Sequence, residues 1–138
     1  MRYFTLILTF IIPVVLYSQE PLTTDELFSK ARTVAFEEKD YSTAIALAKE
    51  ALEKSTDYTD ISIFVGRLYT WNDDVNSARA LFEDLEKKMI QDEDFFIAYG
   101  SLEFWNNNEE KGLNIVEKGL VHHPKSEDLW LLKAKIYS

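Results

Sequence analysis

From residue 24 onward, apolar and polar residues alternate with the period of a helix, and the pattern returns after a fixed 34 residues. Arg32, Gly66, Gly100 and Ala134 share one column of that repeat, and Phe28, Ser62, Phe96 and Trp130 share another. Ala44, Ala78 and Gly112 form a third, and Ala35, Tyr69, Glu103 and Tyr137 a fourth. Ala48, Phe82 and Val116 follow, then Thr56, Ile90 and Pro124. No insertion is needed to keep the columns aligned. The periodicity predicts helices near 25–37, 41–54, 60–70, 74–88, 92–105, 109–121 and 127–137.

Each unit is divided by a polar break: Glu38-Lys39-Asp40, Asn72-Asp73-Asp74 and Asn106-Asn107-Asn108. Asp and Asn suit such breaks because their side chains bond free backbone donors at helix starts and in turns. Small residues at Ala44, Ala78 and Gly112 let two helices of a hairpin approach closely. Gly66 and Gly100 do the same from the first helix, although glycine costs about 1 kcal/mol in a helix interior. Close contact there outweighs propensity.

At these positions the chain resembles the tetratricopeptide repeat family. Val65-Gly66, Tyr69, Ala78 and Phe82 carry the likeness in the second unit, and Tyr99-Gly100, Val116 and Pro124 in the third. Trp130, Ala134 and Tyr137 carry it in the last, and Asp40-Tyr41 with Ala44, Ala48 and Ala51 in the first. Arg32, Ser62 and Glu103 depart from the family pattern; Ala31 can take the close contact that Arg32 would block. The resemblance implies an all-α superhelix of antiparallel hairpins, about three and a half repeats, over residues 25–138. The units run 25–58, 59–92 and 93–126, with a partial unit at 127–138.

The final helix is apolar on more than one side, through Leu129, Trp130, Leu132, Ile136 and Tyr137. Terminal units of solenoids usually show a polar outer face. Either the natural protein continues, or this end docks on something. The phrases Asp60-Ile61-Ser62-Ile63-Phe64-Val65-Gly66-Arg67-Leu68-Tyr69-Thr70-Trp71-Asn72 and Tyr41-Ser42-Thr43-Ala44-Ile45-Ala46 are similar to the helical amino-terminal part of YaiO-type outer-membrane proteins. That likeness implies a periplasmic scaffold. It carries no pore or transport activity here, because the alternating strands of a barrel are absent from the sequence.

Residues 1–18 read as an export signal: Met1-Arg2 is a short positive head, Tyr3 to Tyr17 is free of charge, and Ser18 is a cleavage point before Gln19. Pro13 interrupts the run, which is shorter than the roughly 20 apolar residues of a spanning helix. A linker at 19–24 leads into the repeats. The expected location is therefore the periplasm or the outer membrane, with membrane attachment only through the signal or through a missing C-terminal region. The formal charge is −9, and −10 once Arg2 leaves with the leader. A surface that acidic repels phosphate backbones, so nucleic acid is excluded as a partner. The absence of cysteine excludes disulfides, thiolate metal sites and thiol nucleophiles.

The first helices of tetratricopeptide units line a concave surface. The likeness places Ser29, Ile63, Ile97 and Leu131 there, with Thr33, Arg67, Ser101 and Lys135, and with Phe36, Thr70 and Phe104. Arg67 can hold a partner's carboxylate with its forked donors, or can pair with an acid of this chain. Trp71-Asn72 and Trp105-Asn106 lie one repeat apart; their rings can stack on a sugar or plug the turn between paired helices. The acidic column Glu26, Asp60, Asp94 and Asp128 suggests a cation track or the ordinary preference for carboxylates in a first helical turn. His122-His123 are adjacent, so they point apart on a helix and form no shared site. Glu37-Glu38 and Glu109-Glu110 lie in polar turns that do not perturb a catalytic carboxylate. Neither a phosphate loop nor a Ser-His-Asp or metal pattern is present, so no catalytic residue, metal ligand or cofactor is expected.

The expected function is a non-catalytic interaction scaffold that belongs to an outer-membrane or exopolysaccharide assembly, with a protein or peptide partner. Two alternatives stand beside it. One is an adaptor that forms a homo-oligomer through the open final helix. The other is a polysaccharide-binding module that uses Trp71 and Trp105.

Overall fold

Helix starts and stops in this chain are written by short polar segments, and the structure follows them closely. A computed structural model describes residues 20–138; the leader expected at 1–18 lies outside the described residues. The described elements are all helical. They are α1 (Thr24–Thr33) with a π-helical continuation at Val34–Glu38, α2 (Tyr41–Lys54), α3 (Thr59–Trp71), α4 (Val75–Lys87), α5 (Glu93–Trp105), α6 (Glu109–His122) and α7 (Glu127–Tyr137). Each boundary lies within one residue of the position expected from the periodicity. The π-helical turn was not expected.

Thr23 and Glu26 form a reciprocal capping box at α1: the Glu26 carboxylate accepts from the Thr23 amide at 2.8 Å, and the Thr23 hydroxyl accepts from the Glu26 amide at 3.3 Å. Asp40 caps α2 by accepting from Thr43 at 3.0 Å, and Asp74 caps α4 by accepting from Ser77 at 3.1 Å. Lys39, Asp73 and Asn107, just before the residues Asp40, Asp74 and Asn108 that precede α2, α4 and α6, adopt left-handed backbone at φ 58°, 61° and 58°. These positions are 34 residues apart, so every hairpin turns in the same way.

The glycine column works as expected in two units. A Cβ on Gly66 would sit 2.4 Å from the Phe82 ring, and one on Gly100 would sit 2.8 Å from Val116 Cγ2. Phe82 is fully buried, a burial worth about 1.5–3 kcal/mol for a side chain of this class. In the first hairpin Arg32 is exposed, and the close contact passes to its buried neighbours Ala31 and Ala35, facing Ala44, Ala48 and Ala51. Two apolar clusters result. One joins α1, α2 and α3, the other spans α4 to α7 with Ile63 from α3, and Tyr69 packs against both.

Successive helices pack against each other, and short loops make neighbours antiparallel, so α1, α3, α5 and α7 run the same way. The backbones of α3 and α5, and of α5 and α7, lie close. By contrast, α1 reaches α3 largely through aromatic rings, with Phe28 and Phe64 at 5.5 Å. α7 buries Leu129, Leu132 and Ile136, while Trp130, Leu131 and Tyr137 stay 51%, 54% and 67% exposed. Ala134 is exposed too: its column faces the second helix of its own unit, and no such helix covers it here. No helix among the described residues is long and apolar enough to cross a membrane.

Candidate interaction site between the first helices of the units

A cleft of about 480 Å³ opens between α1 with its π-helical turn, α3 and the start of α5. Ile63 forms part of its floor, buried against the neighbouring helices. Four rings form a continuous aromatic wall. Phe36 lies 6.0 Å from Phe64 and 5.8 Å from Trp71, centre to centre, and Phe28 closes the other side of Phe64. Phe36 is 47% exposed, so the wall is open to a ligand. Arg32, Arg67, Asp60, Asp92 and Asp94 complete the lining.

Arg67 is paired within the chain. Its Nη2 donates to Asp94 Oδ1 at 3.1 Å, with Asp94 in the first turn of α5. Both side chains retain solvent contact, so the bond is a rim contact of modest strength. The acidic column stands in first helical turns at Glu26, Asp60, Asp94 and Asp128, where the helix dipole favours it. Among the described residues no group of three or more His, Cys, Asp or Glu is placed to hold a metal ion.

The two tryptophans one repeat apart have different surroundings. Trp71 is half-buried among Phe36, Tyr41 and Phe64. Trp105 is 59% exposed. The cause lies one repeat back: where Trp71 meets Phe36 and Tyr41, the matching positions for Trp105 hold the smaller Thr70 and Val75. Both rings border a small depression beside the cleft, together with Arg67, Thr70, Ala98 and Ser101. Ile63, Arg67, Trp71, Ser101 and Trp105 are thus brought together. Ile97 and Phe104 are half-buried against the C-terminal core. Leu131 and Lys135 are exposed on α7 and line neither cavity.

Phe28, Arg32, Phe64 and Asp92 line the cleft but escaped the sequence reading as site residues. Phe28 and Phe64 are ordinary members of apolar helical patterns, and only the wide spacing between α1 and α3 turns their rings toward the cleft. The second missed feature is a buried charge cluster. Glu103 on α5 has no exposed surface and receives both forks of Arg79 from α4, at 2.8 and 2.9 Å. Asn108 donates to it at 3.0 Å instead of capping α6, and Lys111 lies 3.3 Å away. Burial alone would raise the Glu103 carboxyl; the bonds from Arg79 and Asn108 and the Lys111 charge outweigh it and hold the group below its ordinary range. Lys111 also bonds Glu83 on α4 at 3.1 Å and sits 5.2 Å from the centre of the Tyr99 ring. Burial pushes the Tyr99 hydroxyl up, and that hydroxyl makes no hydrogen bond among the described residues. A signal was available: Glu103 occupies a column otherwise held by Ala35, Tyr69 and Tyr137.

His122 and His123 pack on Phe96, and His123 Nε2 meets the Gln91 carbonyl at 2.6 Å. They tie the α6–α7 turn to the loop before α5.

Residues 35–95 match a family model described as Tetratricopeptide repeat. The match covers the end of the first hairpin, the whole of the second and the entry to the third. No curated protein matches the chain. With the helical hairpins and their recurring glycine contacts, the match identifies the fold as a tetratricopeptide-type superhelix.

Proposed function

We propose, from a tetratricopeptide-type fold with an open aromatic cleft between its first helices, that this chain is a non-catalytic scaffold that binds a protein partner in the cell envelope. The observation that carries the reading is the cleft between α1, α3 and α5, with the exposed Phe36 ring at its mouth. Rings held in place by their neighbours offer contact area with little loss of side-chain freedom on binding. The sequence likeness to YaiO-type periplasmic segments and the leader at residues 1–18 support a place in an outer-membrane or exopolysaccharide-export assembly.

A photo-crosslinking residue at position 36 tests the binding face. The expected result is one discrete adduct in the envelope fraction, with none from position 49, which is exposed on α2. Equal labelling from both positions, or none from position 36, counts against the reading. Fractionation with N-terminal sequencing tests the location: mature protein beginning at Gln19 supports export, and intact Met1 in the cytoplasmic fraction opposes it.

A second reading rests on the exposed Trp130, Leu131 and Tyr137 of α7. That face can pair with another copy, and sedimentation of the mature chain at micromolar concentration decides between dimer and monomer. For the polysaccharide reading, Trp105 is the ring that remains open. Its indole fluorescence should shift with a bound glycan and stay still without one.

A further inference from the structure

We infer that the cleft between α1, α3 and α5 selects a basic segment carrying an aromatic or aliphatic side chain, in preference to an acidic tail; the inference rests on the reading of that cleft as a protein-binding surface. The cleft is chemically polarised. Asp60, Asp92 and Asp94 stand where α3 and α5 begin, whereas Phe36 and Trp71 stand where the first and third helices end. Because these helices run the same way, their starts gather at one edge and their ends at the other. Helix dipoles place carboxylates at the first edge, and the ring wall occupies the second.

Charge decides which ligand fits. A shallow groove continues from the cleft along α1 and adds Asp25 and Glu37, so the joined surface carries five carboxylates and two guanidinium groups. Arg67 and Asp94 neutralise one another at 3.1 Å, which leaves four carboxylates facing Arg32. Arg32 in turn lies over the Phe28 ring at 5.8 Å. An incoming carboxylate would meet a single cation amid excess like charge. An incoming Lys or Arg would meet Asp60 and Asp92, and ring faces of the kind that attract cations within about 6 Å. An apolar neighbour in the same segment reaches Phe36 and Trp71. The net charge of −9 steers a basic partner toward the protein from a distance.

The test is selection of displayed random dodecapeptides on the immobilised full chain, with Phe36→Ala and Asp60→Asn/Asp92→Asn variants as counter-targets. The expected winners pair Lys or Arg with an aromatic or aliphatic residue. A synthetic winner should bind the Asp60→Asn/Asp92→Asn variant on the order of tenfold more weakly, equivalent to two weak charge contacts. It should also weaken between about 0.05 and about 0.5 M salt, as screening shortens the reach of exposed charges. Winners rich in Asp or Glu, with binding lost on Arg32→Ala, overturn the polarity and leave the binding face intact. Winners that ignore Phe36→Ala, or no enrichment over that variant, overturn the binding face itself.

Discussion

Glu103 illustrates how one side chain can sit where the repeat pattern calls for an apolar or aromatic group. It is tolerable because Arg79 from α4, Lys111 from α6 and Asn108 from the turn before α6 converge on its two oxygens. Such an arrangement adds little net stability over a well-packed apolar core, but breaking it leaves charges poorly solvated. Its folded carboxyl lies below the ordinary 4.5, so its contribution is complete above that pH and is lost as pH falls through the depressed value. Urea unfolding followed from pH 7 into acid should therefore show a loss of stability that is shallower in Glu103→Gln than in the native chain. Parallel slopes would refute this assignment. Asp40 and Asp74 titrate in the same direction through their bonds to Thr43 and Ser77, so the difference between the two proteins is the informative quantity. The buried charge was flagged in the sequence only as an odd residue in its column. Its partners lie 24, 5 and 8 residues away; the first distance is set by how one hairpin leans on the next and the other two by the turn from α5 to α6, and none matches the repeat interval.

Among the elements, boundaries were the most legible feature, because caps and breaks are local chemistry. Asp40 and Asp74 were read as helix starts and are such starts. The left-handed residues between helices were less legible, since Lys39 is not a residue that signals positive φ, unlike Asp73 and Asn107. Lys39→Gly removes the Cβ conflict and should raise unfolding free energy by about 0.5–1 kcal/mol, whereas Lys39→Val should lower it. Equal thermal midpoints for the two variants would show that the turn is not held as described. That Arg67 pairs with an acid of this chain was one of the two expected outcomes, but its partner Asp94 was out of reach from sequence. The bond spans 27 residues and depends on the stagger between α3 and α5.

Across the whole molecule, two apolar clusters meet at Tyr69, and neither contains residues from both α1 and α7. Stability in such an array is close to a sum of nearest-neighbour terms. Leu132→Ala removes a buried side chain that lies against Gly100, and should cost about 2–4 kcal/mol. Hydrogen exchange should then accelerate in α5, α6 and α7 while α1 and α2 keep their protection. A uniform acceleration through all seven helices would mean that the chain unfolds as one block.

The contacts at Gly66 and Gly100 carry one more implication. Their spacing is identical, yet the first is roofed by a benzyl group and the second by an isopropyl group. Hairpins that share a ruler therefore do not share a mould. Shuffling them would set Val116 above Gly66 and leave a void, or press the Phe82 ring toward Leu132, which already lies near Gly100. The order of units along this chain is thus written into the shapes of its joints, even though the interval between them is constant.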